Sequence, residues 1–477
     1  MSSRVLTAAR RTDVISRHMA TVPKLSEIQE PLVKFEESFA VRRFILNRPS
    51  KLNALNAPML KLLASQIEQW NKAELCGVIV GTGVGKAFSA GGDVASVIEY
   101  TASDAARPEA VDFFQREYEL DYFLATLSKP YVAILDGITF GGGFGLAAPA
   151  PFRVATEKCS ISMPETKIGF FPDVGASYYL SRLDGQIGTY LALTGTSLTG
   201  RATFEHGLAT HYIPSARVPM LLENLAALEK PTYVQVNEAI EDLHYDTEPT
   251  DPVAPLSGAI RLALDSAFSQ ETVEGIISTL QTFTTDDTGA DVLQWAKDTL
   301  AVLRTRSPTS LKVALTSIRK AKLLSLLESF EMELGIAAAF CRGSSPDFRA
   351  GVTSVLLEKG KNGPPTWSPA SLDQVDAARL EVFFRTEENA PQLVLPEVLG
   401  DNHPTPPSFL RYGLPSEDEL QALVEGRHPS SGAGAVTLQE LITKAEGLRG
   451  KRGVAGKVQE VVSRRCAVEQ DGYLLWK

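Results

Sequence analysis

The sequence predicts an α/β core with parallel strands and crossover helices, followed by a helical carboxyl-terminal region. Three observations predict it. Short apolar, β-branched runs alternate with helix-period stretches between about residues 33 and 185. Helical periodicity takes over beyond about residue 185. A chain of 477 residues, 44% hydrophobic and 22% charged, is long and apolar enough to bury a large core.

The elements follow in order. Residues 1–22 carry Arg4, Arg10, Arg11 and Arg17 against the single acid Asp13, with Ser and Thr and no long hydrophobic run. That composition predicts a mitochondrial transit peptide, assigned to residues 1–25, and a matrix location. VKFEESFAVRRFILNRPS (33–50) alternates as two short strands meeting at a Glu36-Glu37-Ser38 turn. Pro58 then marks a helix start, and Leu60, Leu63, Ile67 and Trp70 form one apolar stripe. CGVIVGTG (76–83), YVAILDGITFGGG (131–143) and FRVATEKC (152–159) read as strands, the second breaking at its glycines before a helix.

Ser307-Pro308 is a helix entry, and Ser416 with Glu419 is a capping box before Gly426. Gly363-Pro364-Pro365 and the Pro-rich stretch 403–407 are breaks. The boundaries drawn are an α/β core over 33–230, a helical covering region over 231–380 and an extension over 381–477.

Composition narrows the function. A net charge of -10 argues against a bulk electrostatic grip on nucleic acid. Cys76, Cys159, Cys341 and Cys466 stand far apart, as expected of reduced thiols. The apolar window between Asp136 and Arg153 is broken by glycines and prolines and is too short for a membrane helix, so no membrane partner is expected. His206 and His211 lack the spacing of a helical metal motif and are assigned structural roles, with no metal expected.

AFSAGGD (87–93) and ITFGGGFG (138–145) each place glycines after a strand. Bare backbone there can approach a substrate oxygen, and two such loops can converge as an oxyanion hole. Each alone is also what a tight turn looks like. Glu165 and Asp173 follow in MPETKIGFFPDVGASYYL (163–180), an apolar setting that raises a carboxyl pKa and suits acid-base work. The alternative is that both are helix caps.

The ordered series LNRPSKLNALN, AFSAGGD, KPYVAILDGITFGGGFGL, FRVATEKCSISMPETKIGFFPDVGASYYL, LALTG, GLATHYIP, SPTSLK and PDFRAGVTSVLLEKGKNGPPTWSP resembles the crotonase superfamily, within it the 3-hydroxyisobutyryl-CoA hydrolases, over about residues 33–380. The resemblance implies a spiral of ββα turns with helices over the site, and an acyl-CoA thioester as substrate. It implies no separate cofactor, because coenzyme A enters as part of the substrate.

By motif position Gly92 and Gly142 would be the oxyanion donors. Glu165 would be base or nucleophile, and Asp173 would bind the substrate hydroxyl or handle its proton. Glu117 in FFQREYEL would contact the acyl group, against the alternative of a solvated or Arg-paired helical Glu. Where a hydratase of the superfamily carries a second catalytic Glu this chain has Gly145, which favours thioester hydrolysis. Where the family tends to have an acid, this chain has Ala350.

The extension lies outside that pattern. Between residues 449 and 465 six basic residues stand against the single acid Glu460. They read as a solvated helical face or as a contact surface for RNA or a large assembly. Proteins resembling these hydrolases also occur in the mitochondrial small ribosomal subunit, which is the second functional expectation, with hydrophobic YLLW (473–476) suited to docking. Homo-oligomerisation is left open.

Overall fold

Pairing of opposite charges explains the first hairpin. Val33–Ser38 (β1) and Val41–Leu46 (β2) run antiparallel, with Glu36 opposite Arg43 and Glu37 opposite Arg42. The turn therefore falls on Phe39-Ala40, not on Glu36-Glu37-Ser38: both acids stay in the ladder, and Phe39 takes the left-handed conformation at φ 48°. The structure is a computed structural model that describes residues 30–245, 254–285, 289–385, 390–395, 408–432 and 434–477. The transit-peptide expectation over 1–25 and the Pro-rich break at 403–407 lie outside the described residues.

Helix α1 (Ala57–Lys72) opens where Asn56 accepts a hydrogen bond from the Met59 amide, and Leu60, Leu63, Ile67 and Trp70 are all buried. From here each turn of the chain gives one strand to a large sheet and the next to a small one. Val78–Gly83 (β3) is followed by Ala87–Ser89 (β4), then by helices Val94–Tyr100 (α2) and Arg107–Ala125 (α3). Tyr131–Leu135 (β5) is followed by Ile138–Phe140 (β6) and the short helix Gly142–Ala147 (α4). Phe152–Ala155 (β7) is followed by Ser160–Ser162 (β8).

Helices Ala176–Leu180 (α5) and Ile187–Thr194 (α6), strand Leu198–Thr199 (β9), helix Arg201–Glu205 (α7) and strand His211–Tyr212 (β10) complete this part. The large sheet has the order β1-β2-β3-β5-β7-β10, parallel from β2 onward. The small one has the order β4-β6-β8-β9. Successive ββα turns thus stack as the expected spiral.

The helices that follow are Val218–Ala227 (α8), Tyr233–Glu241 (α9), Gly258–Phe268 (α10), Val273–Thr282 (α11), Ala290–Leu303 (α12), Pro308–Ala321 (α13) and Leu326–Cys341 (α14). Ser307 caps α13 by accepting from the Ser310 amide, as its position before Pro308 predicted. Short helices Asp347–Val352 (α15) and Ala377–Glu381 (α16) lead to the extension. It comprises Glu417–Val424 (α17), Leu438–Arg449 (α18), Val454–Arg465 (α19) and the hairpin Cys466–Val468 (β11) with Leu474–Trp476 (β12). Ser416 caps α17, but Glu419 does not close the predicted box; its carboxylate pairs with Arg449 instead. All four cysteines are buried free thiols, and no helix among the described residues is long and apolar enough to cross a membrane.

The basic stretch of the extension is neither a solvated face nor an open phosphate surface. Lys457 pairs with Asp184 at 2.6 Å, Arg464 with Glu417 at 2.6 Å and Arg465 with Asp265 at 2.6 Å. Lys451 pairs with Glu241 and Arg449 with Glu419. The acids come from distant parts of the sequence, so the local excess of positive charge is neutralised within the chain. Of YLLW, Leu474 is buried while Leu475 stays exposed.

Candidate active site

Strands β4 and β6 are parallel neighbours in the small sheet, so the glycine loops that follow them emerge side by side. Asn53, fully buried, anchors the region: its amide donates to the carbonyls of Val84 (3.0 Å) and Ala87 (2.8 Å) and its oxygen accepts from the Arg48 amide. Gly91 at φ 102° and Gly141 at φ 47° turn the chain in ways L side chains rarely allow. Any Cβ on Gly143 would strike the Ser89 carbonyl, so the loops pack backbone to backbone. Among the described residues neither the Gly92 nor the Gly142 N–H donates to another group, and a Cβ on Gly142 would lie 3.2 Å from the Gly92 nitrogen. Two unspent backbone donors therefore stand together.

Glu117, on α3, points at them. It is 2% exposed; Oε1 crowds the Cβ position of Gly142, and Oε2 lies 3.7 Å from that of Gly92. Glu117 Oε1 has no hydrogen-bond partner, and the adjacent Arg116 pairs with Asp112 instead, which overturns the alternative of a solvated or Arg-paired residue. Burial first, and the charge of Asp173 second, hold the Glu117 carboxyl well above the usual range.

Glu165 opens a single turn of 3-10 helix, Glu165–Ile168, after Pro164. Its Oε1 lies 2.8 Å from the Cβ position of Gly141, its Oε2 is unpartnered, and burial followed by Asp173 raises its pKa well above the ordinary value. Helix α15 presses on this turn: a Cβ on Gly169 would strike the Asp347 carbonyl, and one on Gly351 the Ile168 carbonyl. Ala350 lies on the same helix and, with Arg349, Thr353 and Asn362, lines an open groove of about 400 Å³.

Asp173 is 4% exposed and accepts a 2.7 Å hydrogen bond from Tyr118 Oη. Burial pushes its pKa up to about 7, with the Tyr118 bond opposing the shift. It does not cap α5. That role falls to Glu333 on α14, whose carboxylate accepts from the Gly175 amide at 2.6 Å and the Ser177 amide at 2.9 Å. Burial pushes Glu333 up to about 8.

Sequence reasoning missed Tyr118, Glu333 and Asp121. Asp121 lies one helical turn after Glu117, fully buried with both carboxyl oxygens unpartnered, and burial raises its pKa strongly. A Cβ on Gly145 would lie 2.5 Å from Asp121 Oδ2 and 2.7 Å from the Val174 Cβ. Space for a side chain at 145 is thus already taken. The available signal was an acid on the apolar stripe of a helix: Asp121 at i+4 from Glu117, and Glu333 at i+3 from Phe330.

His206 and His211 lie elsewhere. His211, inside the sheet edge, contacts Thr210, Asn237 and Glu241, and burial holds both imidazoles down, to about 3 for His206 and about 4 for His211.

Five buried carboxyls, Glu117, Asp121, Glu165, Asp173 and Glu333, cannot all ionise against one another. The arrangement therefore holds protonated and unprotonated acids side by side, next to two free N–H donors.

Comparison with known proteins agrees with this architecture. The chain is 38% identical, over 100% of its length and 94% of the relative's, to the small ribosomal subunit protein mS47 of Neurospora crassa. It is 37% identical over 80% of its length to the mitochondrial 3-hydroxyisobutyryl-CoA hydrolase of Homo sapiens, 94% of which is covered. The crystal structure of a carnitinyl-CoA dehydratase from Mycobacterium thermoresistibile superposes with a TM-score of 0.67 at 32% identity, covering 76% of this chain and 99% of that one. Since the enoyl-CoA hydratase/isomerase profile also matches residues 41–384, which contain both glycine loops and all five carboxyls, the chain belongs to the enoyl-CoA hydratase/isomerase, or crotonase, family.

Proposed function

We propose that the chain is an acyl-CoA thioester hydrolase of the mitochondrial matrix, converting 3-hydroxyisobutyryl-CoA to 3-hydroxyisobutyrate and coenzyme A in valine breakdown. The observation that carries the reading is the meeting of two free glycine amides with buried Glu117, Glu165 and Asp173, while residue 145 has no room for a second hydratase carboxyl. The 37% identity to the human hydrolase supports it.

In this reading the thioester oxygen receives the Gly92 and Gly142 N–H groups as it gains negative charge. Glu165 acts on the carbonyl carbon either as base, taking a proton from the attacking water, or as nucleophile, forming an acyl anhydride that water hydrolyses after the thiolate has left, which releases the acid and restores the Glu165 carboxylate. The C–S bond then breaks and the departing thiolate takes a proton from the carboxyl cluster. Asp173, oriented by Tyr118, binds the substrate hydroxyl together with Glu117. Coenzyme A arrives as part of the substrate, and no further cofactor is invoked.

Thiol release from 3-hydroxyisobutyryl-CoA, with Glu165→Gln beside the parent, tests this. Release by the parent that falls by about 10²-fold or more in the variant is expected. Hydration of an enoyl-CoA without thiol release would overturn it.

A second reading is favoured by one observation: the alignment with the Neurospora ribosomal protein spans the whole chain, extension included. The chain would then be a structural component of the mitochondrial small ribosomal subunit, its site retained or idle. Co-sedimentation with that subunit at high salt is expected of it, and a free pool of small oligomers speaks against it.

A further inference from the structure

The extension reaches the back wall of the candidate site through Phe409. Phe409 is 6% exposed, and its ring centroid lies 5.0 Å from that of Tyr179, on α5. The guanidinium carbon of Arg153 sits 3.9 Å from the centre of the same Phe409 ring. Arg153 is 1% exposed and donates to main-chain carbonyls: Leu208 at 2.7 Å, Ala150 at 2.8 Å and Phe409 at 2.8 Å. A buried cation of the core therefore holds both the ring and the backbone of Phe409, so the position of that ring is fixed from two sides.

Tyr179, 3% exposed, passes the contact on in two directions. It stands edge-on to Phe144 at 6.2 Å, on the short helix α4 that opens with Gly142. Its ring edge also lies 2.8 Å from the Cβ position of Gly175, two residues after Asp173. One ring thus backs both the glycine loop and the Asp173 loop, and Phe409 backs that ring. The family match ends at residue 384, so this support comes from a segment outside the family profile.

We propose that Phe409 is a positioning residue for the reaction: clamped by Arg153, it keeps Tyr179 seated against Phe144 and Gly175 and so fixes the Gly142 amide and the Asp173 carboxyl relative to each other. The inference rests on the reading of Gly142 and Asp173 as reacting groups. Misplacement of such groups by about 1 Å costs about 10²-fold in rate without a matching loss of ground-state binding. The extension is then a working part of the catalytic unit and not an appendage to it.

The test uses the full chain, with Phe409→Ala against the parent and against Leu475→Ser, a change on the exposed side of the terminal hairpin. Two quantities are read: kcat and KM for thiol release from 3-hydroxyisobutyryl-CoA, and amide hydrogen exchange along the chain. For Phe409→Ala a fall in kcat of about ten- to a hundredfold with KM within about twofold is expected. Exchange over residues 174–180 should accelerate while that of β5 stays at the parent rate, with Leu475→Ser unchanged in both.

A folded Phe409→Ala with parental kcat and parental exchange at 174–180 overturns the proposal, as does acceleration spread evenly over the whole chain. If the parent itself releases no thiol, the hydrolase reading fails, and the exchange arm alone decides whether Phe409 holds the loop. Should Phe409→Ala lose its fold, Phe409→Leu, which keeps apolar volume but loses the planar ring under Arg153, carries the same two readouts.

Discussion

Asp173 ties chemistry to stability with opposite signs. Its carboxyl is raised from 3.8 to about 7, chiefly by burial, so the folded chain holds that proton more tightly than the unfolded chain does. The stabilising contribution is therefore full below about pH 4 and is lost as the pH rises through about 7. Asp173→Asn has nearly the same shape, carries no charge and can still accept from Tyr118. We expect it to melt higher than the parent near pH 8, with the difference vanishing toward pH 4, while turnover is lost. Thermal melts across that range check this; a pH-independent difference would mean that charge burial is not its source. Gly145 makes the complementary point about space. Gly145→Ala sets a methyl 2.5 Å from Asp121 Oδ2 and 2.7 Å from the Val174 Cβ, a clash expected to cost about 1–3 kcal/mol in chemical denaturation.

At the scale of elements the extension is held by charge as much as by apolar contact. Glu417, 6% exposed, opens α17 and accepts from Arg261 of α10 at 2.7 Å and from Arg464 of α19 at 2.6 Å. Burial opposes its ionisation, but Arg261 and Arg464 together hold the carboxyl down at about 2. A depressed carboxyl stabilises above its unfolded pKa and loses that contribution as the pH falls through about 4 toward 2. Glu417→Gln removes one of two carboxylates from each guanidinium, Arg261 keeping Asp265 and Arg464 keeping Glu460, which is expected to cost about 1–3 kcal/mol near neutral pH and much less near pH 2. Denaturant melts at the two pH values measure it.

These same pairs mark the limit of what could be read in the sequence. Strand and helix periodicity and the Ser307 cap are legible in the sequence because each depends on neighbours along the chain, whereas the spiral of ββα turns is legible only through the family resemblance. In the sequence Lys457 and Arg465 look like part of an open basic face because their acids, Asp184 and Asp265, lie 273 and 200 positions away. In the candidate site Gly92, Gly142, Glu117, Glu165 and Asp173 were picked out by motif, and the fold brings them together. Tyr118 and Glu333 escaped because their task is a hydrogen bond to another element, which no spacing reveals.

For the molecule as a whole, the contacts between core and extension predict a single cooperative unit. The core supplies Arg153 to Phe409, Phe152 to Tyr412 at a ring distance of 4.6 Å, Arg261 to Glu417 and Asp184 to Lys457; none of these groups keeps its partner if the last seventy or so residues detach. Arg153 matters most, because a fully buried guanidinium that loses the Phe409 carbonyl and ring is left partly unsatisfied in an apolar interior. Detachment therefore destabilises the part left behind, which is the physical condition for two segments to unfold together. Scanning calorimetry of the full chain should give one transition whose calorimetric and van't Hoff enthalpies agree. A chain ended after residue 385 should melt well below the parent, and added salt should not reproduce that loss, because pairs this deeply buried are weakly screened. Two resolved transitions, or a shortened chain as stable as the parent, would show the extension to be a separate domain resting on an independent core.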